Sequence, residues 1–281
     1  MSLLPARREE SLAGGGHAVT LASADVRRRA GPGAIAALQL LVLALLIAFW
    51  EMGARTGFLD PFFFSRPSDV ALKILEWLRG GTIWAHLATT LAEAFLAFLI
   101  GTLFGVAFGL AFARIGLLGA VFDPYIRILN ALPRVILAPI FLLWFGLGIA
   151  SKIALGVSLV FFVVFFNTYQ GVRQVDVVIL DNARMLQASD RQLLRHVYLP
   201  SAMAWIFSSL HTSIGFALVG AVVGEYMGAA RGIGYLVAQA QGVFDTTGVL
   251  AGLLLTSAVV LWVDLGINRV ERYLLRWRPR A

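Results

Sequence analysis

Several charged side chains stand inside long apolar runs of this sequence, among them Glu93, Arg134 and Glu225. Burying a charge in hydrocarbon costs about 2.5–3.5 kcal/mol on insertion scales, so each needs an opposite charge or a water-filled route. Residues of this kind can form an ion pair, relay a proton or contact a passing solute. We expect Glu93 and Arg134 to form a structural ion pair, with a substrate contact as the alternative.

The residue sets that covalent or metal chemistry requires are missing. Cysteine is absent, which excludes disulfides, thiolate metal sites and a cysteine nucleophile. No G-x-x-x-x-G-K-[ST] phosphate loop occurs, because neither lysine follows a glycine. We expect no metal, no bound cofactor and no catalysis on this chain, so any ATP would be hydrolysed by another polypeptide. The histidines are scattered without metal-ligand spacing, at His17, His86, His196 and His211.

The most polar internal stretch is residues 181–200, DNARMLQASDRQLLRHVYLP, which lies between two apolar runs. Its apolar residues recur at helical spacing but are interrupted near Gln187 to Asp190 by residues that suit a turn and an N-cap. This pattern predicts two short helices at an angle, outside the lipid. Pro200 falls in the first turn of the next helix, where a missing amide hydrogen is tolerated. A solvated loop is the competing interpretation.

The spacing D-N-A-x-x-x-Q-A with a closing Leu-Pro resembles the EAA loop of permease subunits of ABC importers. In that family the loop forms a coupling helix that docks in a groove of the cytoplasmic ATPase. Gln187 stands where the family usually has Gly, and a positive φ there would cost about 1 kcal/mol relative to Gly. The resemblance assigns a coupling loop over residues 176–200, with the residues Asp181, Asn182, Ala183, Arg184, Gln187, Ala188, Asp190, Arg191, Arg195, Leu199 and Pro200.

Other segments resemble the subfamily that imports nitrate, aliphatic sulfonates and taurine. These segments follow one another in the family's order from residue 58 to the C-terminus: FLDPFFF with RPS, LP at 132–133, LWFGLG at 143–148 with SK, EY at 225–226, and RGIGY at 231–235. The resemblance implies a type I ABC importer permease fold, similar to that of the methionine importer permease. It also implies a homodimer, a cytoplasmic ATPase dimer that binds ATP and Mg, and an extracytoplasmic solute-binding protein.

Composition independently predicts an integral membrane protein. Of the 281 residues, 59% are hydrophobic and 14% are charged, whereas soluble domains carry about 25% charged residues. The net charge is +7, but the basic residues lie at the ends of apolar runs rather than on one soluble face, which argues against nucleic-acid binding. We expect an all-α protein of about six transmembrane helices in the inner, cytoplasmic membrane.

The predicted spans cover about residues 34–53, 86–113, 122–147, 153–172, 205–227 and 248–270, with the third broken by Pro133 and Pro139. We divide the chain into a flexible tail (1–33), a first span with an external loop and interfacial helix (34–84), a core (85–270) and a basic tail (271–281). Most arginines then lie on the side of both termini, which the positive-inside rule makes cytoplasmic. Glycines at 101, 105 and 109 predict close helix packing.

Polar residues of the third and fifth spans are candidates for a translocation pathway, which the family lines with these spans. In the fifth span, packing through small residues is the alternative interpretation. Glu225 and Arg231 are expected to pair at an outer gate, with contact to a binding protein as the alternative. The pathway candidates are Asn130, Pro133, Arg134, Ser209, Thr212, Ser213 and Gly220.

The resulting hypothesis is an importer subunit that moves a small anion such as nitrate, a sulfonate or taurine by alternating access. A pyrimidine- or flavin-type compound is the alternative substrate. An ion- or proton-coupled secondary transporter is the competing class, but such carriers often show paired internal repeats, and none is visible here. A membrane-embedded enzyme would need a clustered nucleophile, base and metal set, which this sequence lacks.

Overall fold

The computed structural model describes residues 32–274, and the regular secondary structure of these residues is entirely helical. Residues 1–31 and 275–281, which make up most of the two predicted tails, lie outside this range, and residues 271–274 belong to the last helix. The chain forms two compact units that meet in sequence between Ser68 and Asp69. The predicted all-α class is therefore confirmed.

The first unit contains the helices α1 (Pro32–Arg55) and α2 (Pro61–Phe64). The Asp60 carboxylate caps α2 by accepting a 2.9 Å hydrogen bond from the Phe62 amide. The indole of Trp50 donates to the Phe64 carbonyl (3.2 Å), and Ser68 donates through its amide and hydroxyl to Glu51 (3.0 and 2.9 Å). These bonds fold the segment after α1 back onto its last turns.

The rest of the chain is a bundle built on long helices. Its four longest helices have 25 to 33 residues, and shorter helices connect them. The bounds are α3 (Pro67–Gly80), α4 (Thr82–Arg114), α5 (Gly116–Ala131), α6 (Ala138–Phe145), α7 (Ile149–Arg173), α8 (Val177–Met185), α9 (Asp190–Leu193), α10 (Leu199–Gly228), α11 (Ile233–Gly242) and α12 (Thr246–Leu274).

Five helical stretches of the described chain are long and apolar enough to cross a membrane, and a bent pair of helices makes a sixth. The bent pair is α5 with the segment Arg134–Phe145, and its two arms meet at 84°. Leu132 is extended before Pro133, as the proline ring requires of the preceding residue. Pro139 lies in the first turn of α6, so the break of the third span falls between Pro133 and Pro139, as predicted.

The centre of the bundle is the packing of α4, α7 and α10. Lipid tails are as apolar as leucine, so helices in a membrane associate through close contact rather than through the hydrophobic effect. A Cβ atom at Gly105 would lie 2.8 Å from the Val164 Cβ and 3.0 Å from the Phe161 carbonyl oxygen. A Cβ atom at Gly101 would lie 2.7 Å from the Val160 Cβ, and one at Gly109 would lie 2.7 Å from the Thr168 Cβ. These contacts agree with the predicted close packing at the three glycines.

Replacing Gly105 by alanine should therefore destabilise the bundle. The added methyl group has no room between α4 and α7, and overpacking of this kind costs about 1–3 kcal/mol. We expect Gly105→Ala to lower the midpoint of thermal unfolding, followed by size-exclusion chromatography of heated, detergent-solubilised protein.

Gly215→Ala is the matched control, because a Cβ at Gly215 of α10 meets no atom within 4 Å. At an open helical position alanine gains up to about 1 kcal/mol over glycine, so this variant should unfold at the wild-type temperature or above it. Equal midpoints for the two variants would contradict the packing account.

Candidate functional site

The first candidate site is the segment that links α7 to α10, residues 174–198. Its first helix, α8, begins at the N-cap Asp176, whose carboxylate accepts a 2.8 Å hydrogen bond from the Val178 amide. Within α8, Asp181 and Arg184 form a surface ion pair of 3.6 Å. The predicted first helix of the coupling loop is thus present.

The turn that ends α8 explains the preference for glycine at position 187. Gln187 has a φ of +55°, and its amide donates to the Arg184 carbonyl (2.8 Å). The Ala188 amide donates to the Ala183 carbonyl (3.1 Å), and the two bonds together make a Schellman motif. Glutamine therefore occupies a left-handed position for which glycine is the least strained residue.

Ser189 starts the next helix through a capping box. Its amide donates to the Gln192 side chain (2.8 Å), and the Gln192 amide donates back to the Ser189 hydroxyl (3.4 Å). The helix then continues from α9 through a π-helical stretch, Leu194–Tyr198, into α10. The expectation of a second, separate short helix is therefore wrong.

The proline at the start of α10 accounts for the π-helical stretch. Pro200 has no amide hydrogen to donate, and its ring crowds the carbonyl one turn earlier. A wider turn relieves that crowding, and the Leu199 amide accordingly donates to Leu194, five residues back. Pro200 lies in the first turn of α10, as its position in the sequence predicts.

The segment presents both polar and large apolar side chains to its surroundings. Met185 and Leu186 at the turn are 81% and 83% exposed, and Val177, Val178 and Ile179 at the start of α8 are also exposed. Contiguous apolar surface rimmed by polar groups is typical of a docking site. Among the predicted coupling residues, Ala183, Ala188 and Leu199 are half-buried, and the exposed ones are Asp181, Asn182, Arg184, Gln187, Asp190, Arg191, Arg195 and Pro200.

The second candidate site lies at the opposite end of the bundle, where α10 ends and α7 begins. The Glu225 carboxylate is buried and accepts hydrogen bonds from the Thr90 hydroxyl (2.7 Å) and the Gly234 amide (2.8 Å). Thr90 in turn accepts a bond from the Ile233 amide (2.9 Å). These bonds tie the start of α11 to α4 and α10.

Lys152 supplies the positive charge of this site. Its side chain is 1% exposed, and its ammonium donates to the carbonyls of Leu147 (2.7 Å) and Gly228 (2.5 Å). Both Glu225 and Glu93 lie within electrostatic range of the ammonium, and the two carboxyl groups contact each other. We call Thr90, Glu93, Lys152 and Glu225 the buried charge cluster.

The loop before α11 can reach the cluster because position 232 carries no side chain. Gly232 has a φ of +113°, and a Cβ there would lie 2.0 Å from the Glu225 carboxyl carbon. The Gly232 amide donates to His86 Nδ1 (3.0 Å), and the His86 ring stacks on Tyr235. The R-G-I-G-Y segment therefore has a physical role, which is to bring backbone amides to a buried carboxylate.

Two predicted ion pairs are wrong. Arg134 donates to the carbonyl (3.2 Å) and side-chain oxygen of Asn130, and its guanidinium lies 4.4 Å from the Phe162 ring centroid. The 3₁₀ turn at the break of the third span directs Arg134 back over α5, away from Glu93. Glu225 is bonded to Thr90 and Gly234 instead of Arg231, which is exposed.

The predicted pathway residues separate into two groups. Ser209, Ser213 and Gly220 are buried, and a Cβ at Gly220 would lie 2.4 Å from the Gly156 Cα, so Gly220 packs against α7. Their place on a pathway stays a prediction. Asn130, Pro133 and Thr212 are exposed, and Arg134 is half-buried.

Thr90, Lys152 and His86 belong to the second site, but the sequence interpretation assigned them no role there. Lys152 stands at one end of an apolar run, and Glu225 stands at the same end of another. Opposite charges at equal depth in neighbouring spans are a signal for a buried pair. Thr90 carries no such signal, because threonine is common in membrane helices.

Replacing Gln187 by glycine should relieve the strained turn. The expected gain is up to about 1 kcal/mol, which corresponds to hydrogen exchange of the Ala188 amide up to about fivefold slower. Gln174→Gly is the control, because Gln174 is also exposed but has a φ of −85°, where glycine gives no relief. Faster exchange at Ala188 in Gln187→Gly would contradict the account.

Removing the lysine of the buried charge cluster should be strongly destabilising. Lys152→Met leaves two carboxyl groups and two carbonyls without their partner, and breaking a buried pair in this way costs about 3–5 kcal/mol. The double variant Lys152→Met with Glu93→Gln returns the net charge of the cluster to its wild-type value. It should therefore unfold at a higher temperature than Lys152→Met alone. Additive losses in this cycle would show that the charges are not coupled.

Several known permeases are similar to this chain in sequence. The Bacillus subtilis protein named for aliphatic sulfonate transport, SsuC, is 32% identical over 85% of this chain and 87% of its own length. The Escherichia coli taurine transport system permease TauC is 31% identical over 85% and 89%. The Chloroflexus aurantiacus riboflavin transport system permease RibX is 33% identical over 84% and 88%.

Solved structures show the same fold at lower identity. The inward-facing MetNI methionine ABC transporter matches with a TM-score of 0.55 and 21% identity, over 70% of this chain and 96% of that chain. An amino acid ABC transporter matches with a TM-score of 0.57 and 20% identity, over 73% and 97%. Residues 101–276 match the family described as "Binding-protein-dependent transport system inner membrane component". The chain therefore belongs to this family of inner membrane components of binding-protein-dependent transport systems.

Proposed function

We propose that this chain is the translocation subunit of an ATP-driven importer for a small organic anion of the sulfonate or taurine type. Two copies form the translocation unit, an ATPase dimer docks on the coupling segment, and a solute-binding protein delivers substrate to the other end. ATP and Mg bind to the ATPase, and this chain performs no covalent chemistry. Both termini then lie in the cytoplasm.

One observation carries the proposal. In a chain of this family, the segment between α7 and α10 is capped at both ends of its turn, and it presents exposed Met185 and Leu186 at the tip. Apolar side chains on a rigid turn suit insertion into a groove of a partner protein better than they suit water. The rigid turn lets force on these side chains reach α10 directly.

The substrate class is supported by two further points. Two of the similar permeases are named for sulfonate and taurine transport, and a third for riboflavin, which is the alternative substrate. Arg134 lies at the break of the third span beside Asn130, where a guanidinium can attract a sulfonate. The proposed pathway residues are Asn130, Pro133, Arg134 and Thr212, because weak polar contacts permit conduction.

The coupling role predicts the effect of a charge at the tip of the segment. Leu186→Asp places a carboxylate in the proposed docking groove, where it would be desolvated without a partner. We expect at least a tenfold loss of ATP-dependent sulfonate uptake in proteoliposomes that contain the cognate ATPase and binding protein. The ATPase should also no longer co-purify with the permease in detergent.

Val243→Asp is the matched control. Val243 is 72% exposed, close to the 83% of Leu186, but it follows α11 at the opposite end of the bundle. This variant should retain the ATPase during purification. Uptake by the wild type that needs an ion gradient and no ATP would overturn the proposal in favour of a secondary transporter.

A further inference from the structure

The α4 surface beside the buried charge cluster forms an open cleft of about 390 Å³. It is lined by small residues of α4, among them Ala88, Thr89 and Ala92, and by the larger Leu96 of α4 and Ile149 of α7. Two charged residues line it, Glu93 at the buried side and Arg231 at the exposed side. The cleft thus has one acidic and one basic residue in an otherwise uncharged lining.

Glu93 is the unusual member of this set. The residue is 3% exposed, and its Oε2 atom has no hydrogen-bond partner among the described residues. Buried carboxylate oxygens without a partner are rare because they forfeit their hydration. By contrast, both oxygens of the neighbouring Glu225 carboxylate accept hydrogen bonds.

The charges of the cluster do not cancel. Two carboxylates and one ammonium, from Glu93, Glu225 and Lys152, sum to −1. The Lys152 ammonium directs two of its donors at the carbonyls of Leu147 and Gly228. One more positive charge balances the site, and it is either a proton held between the carboxyl groups or the cationic group of a ligand.

Arg231 provides the complementary group for an anion. It is exposed, and it forms no ion pair with another described residue. A guanidinium presents two parallel donors to a sulfonate or carboxylate, which fixes the orientation of the anion. Between the two charged residues, the alanine methyl groups suit a short alkyl chain.

We propose that this cleft is a binding site for a small zwitterion whose ammonium group approaches Glu93 and whose anionic group binds Arg231. The inference rests on the proposed importer function and narrows its substrate to an amino-sulfonate or a similar short molecule with both charges. A simple alkanesulfonate has no ammonium group, so it binds only at Arg231. The proton held between the carboxyl groups of the cluster then stays in place.

The test compares two probes that differ only in the ammonium group, 2-aminoethanesulfonate and ethanesulfonate. The complete transporter is reconstituted with its ATPase and binding protein, and kcat/KM of uptake is measured for each probe. Because the same binding protein is used throughout, a change in the ratio of the two values is due to the permease. Glu93→Gln should lower the preference for the amino compound by roughly tenfold, whereas Glu76→Gln, an exposed acid of α3, should not change it.

Two variants at exposed positions keep the test decisive if Glu93→Gln fails to assemble. Ala92→Leu fills the cleft without touching the buried charges and should lower the preference in the same direction. Arg231→Gln should reduce uptake of both probes and leave their ratio unchanged.

The outcomes separate the inference from the proposed function. If the wild type takes up both probes with ATP but neither Glu93→Gln nor Ala92→Leu changes the ratio, a proton alone fills the site and only the inference fails. If the wild type takes up neither probe with ATP, the proposed function fails and the inference falls with it.

Discussion

The need to neutralise the Glu225 carboxylate in a buried position determines how one end of this molecule is built. Two donors reach this carboxylate, the Thr90 hydroxyl of α4 and the Gly234 amide in the first turn of α11, and the Lys152 ammonium of α7 lies within electrostatic range of it. Since the loop must bring its amides within 3 Å of buried side chains, positions 232 and 234 exclude any side chain larger than hydrogen. Helix ends, loop path and glycine positions all follow from one charge that cannot reach water.

At the other end of the bundle, polar groups also need hydrogen-bond partners, but they find them within their own segment. The polar groups around α8 are satisfied locally, by Asp176, by the Schellman turn at Gln187 and by the Ser189 capping box. Because these caps are local, and the long-range bond from the Arg114 guanidinium goes to the Asp190 carbonyl (3.4 Å) at the start of α9, the tip of the segment presents large apolar side chains outward. The charge cluster at one end is buried, whereas the α8 segment at the other end exposes its apolar side chains.

The sequence predicted the features that depend on local chemistry. Span positions follow from apolar length, the turn at Gln187 to Asp190 from its residue types, and the glycine contacts of α4 from a four-residue spacing. The predictions from the sequence were wrong for side chains whose partners depend on how each helix is rotated about its axis. Glu93, Arg134 and Glu225 were recognised as costly charges, but their partners depend on which faces of α4, α5 and α10 meet. A break of 84° also cannot be read from Pro133 alone.

The uninterrupted helical path from Asp190 to Gly228 has a mechanical consequence. Since α9, the π-helical stretch and α10 follow one another without a loop, the segment can act as a lever rather than a hinged arm. At 1.5 Å per residue, Gly220 lies about 12 Å from the Gly228 end of α10 and about 32 Å from its Leu199 end, so a tilt of ten degrees about Gly220 moves these ends by roughly 2 Å and roughly 5 Å. The fulcrum is the tight Gly156–Gly220 crossing with α7, where the backbones cannot approach further. A small rotation at one face of the membrane is therefore converted into a displacement of opposite sense at the other.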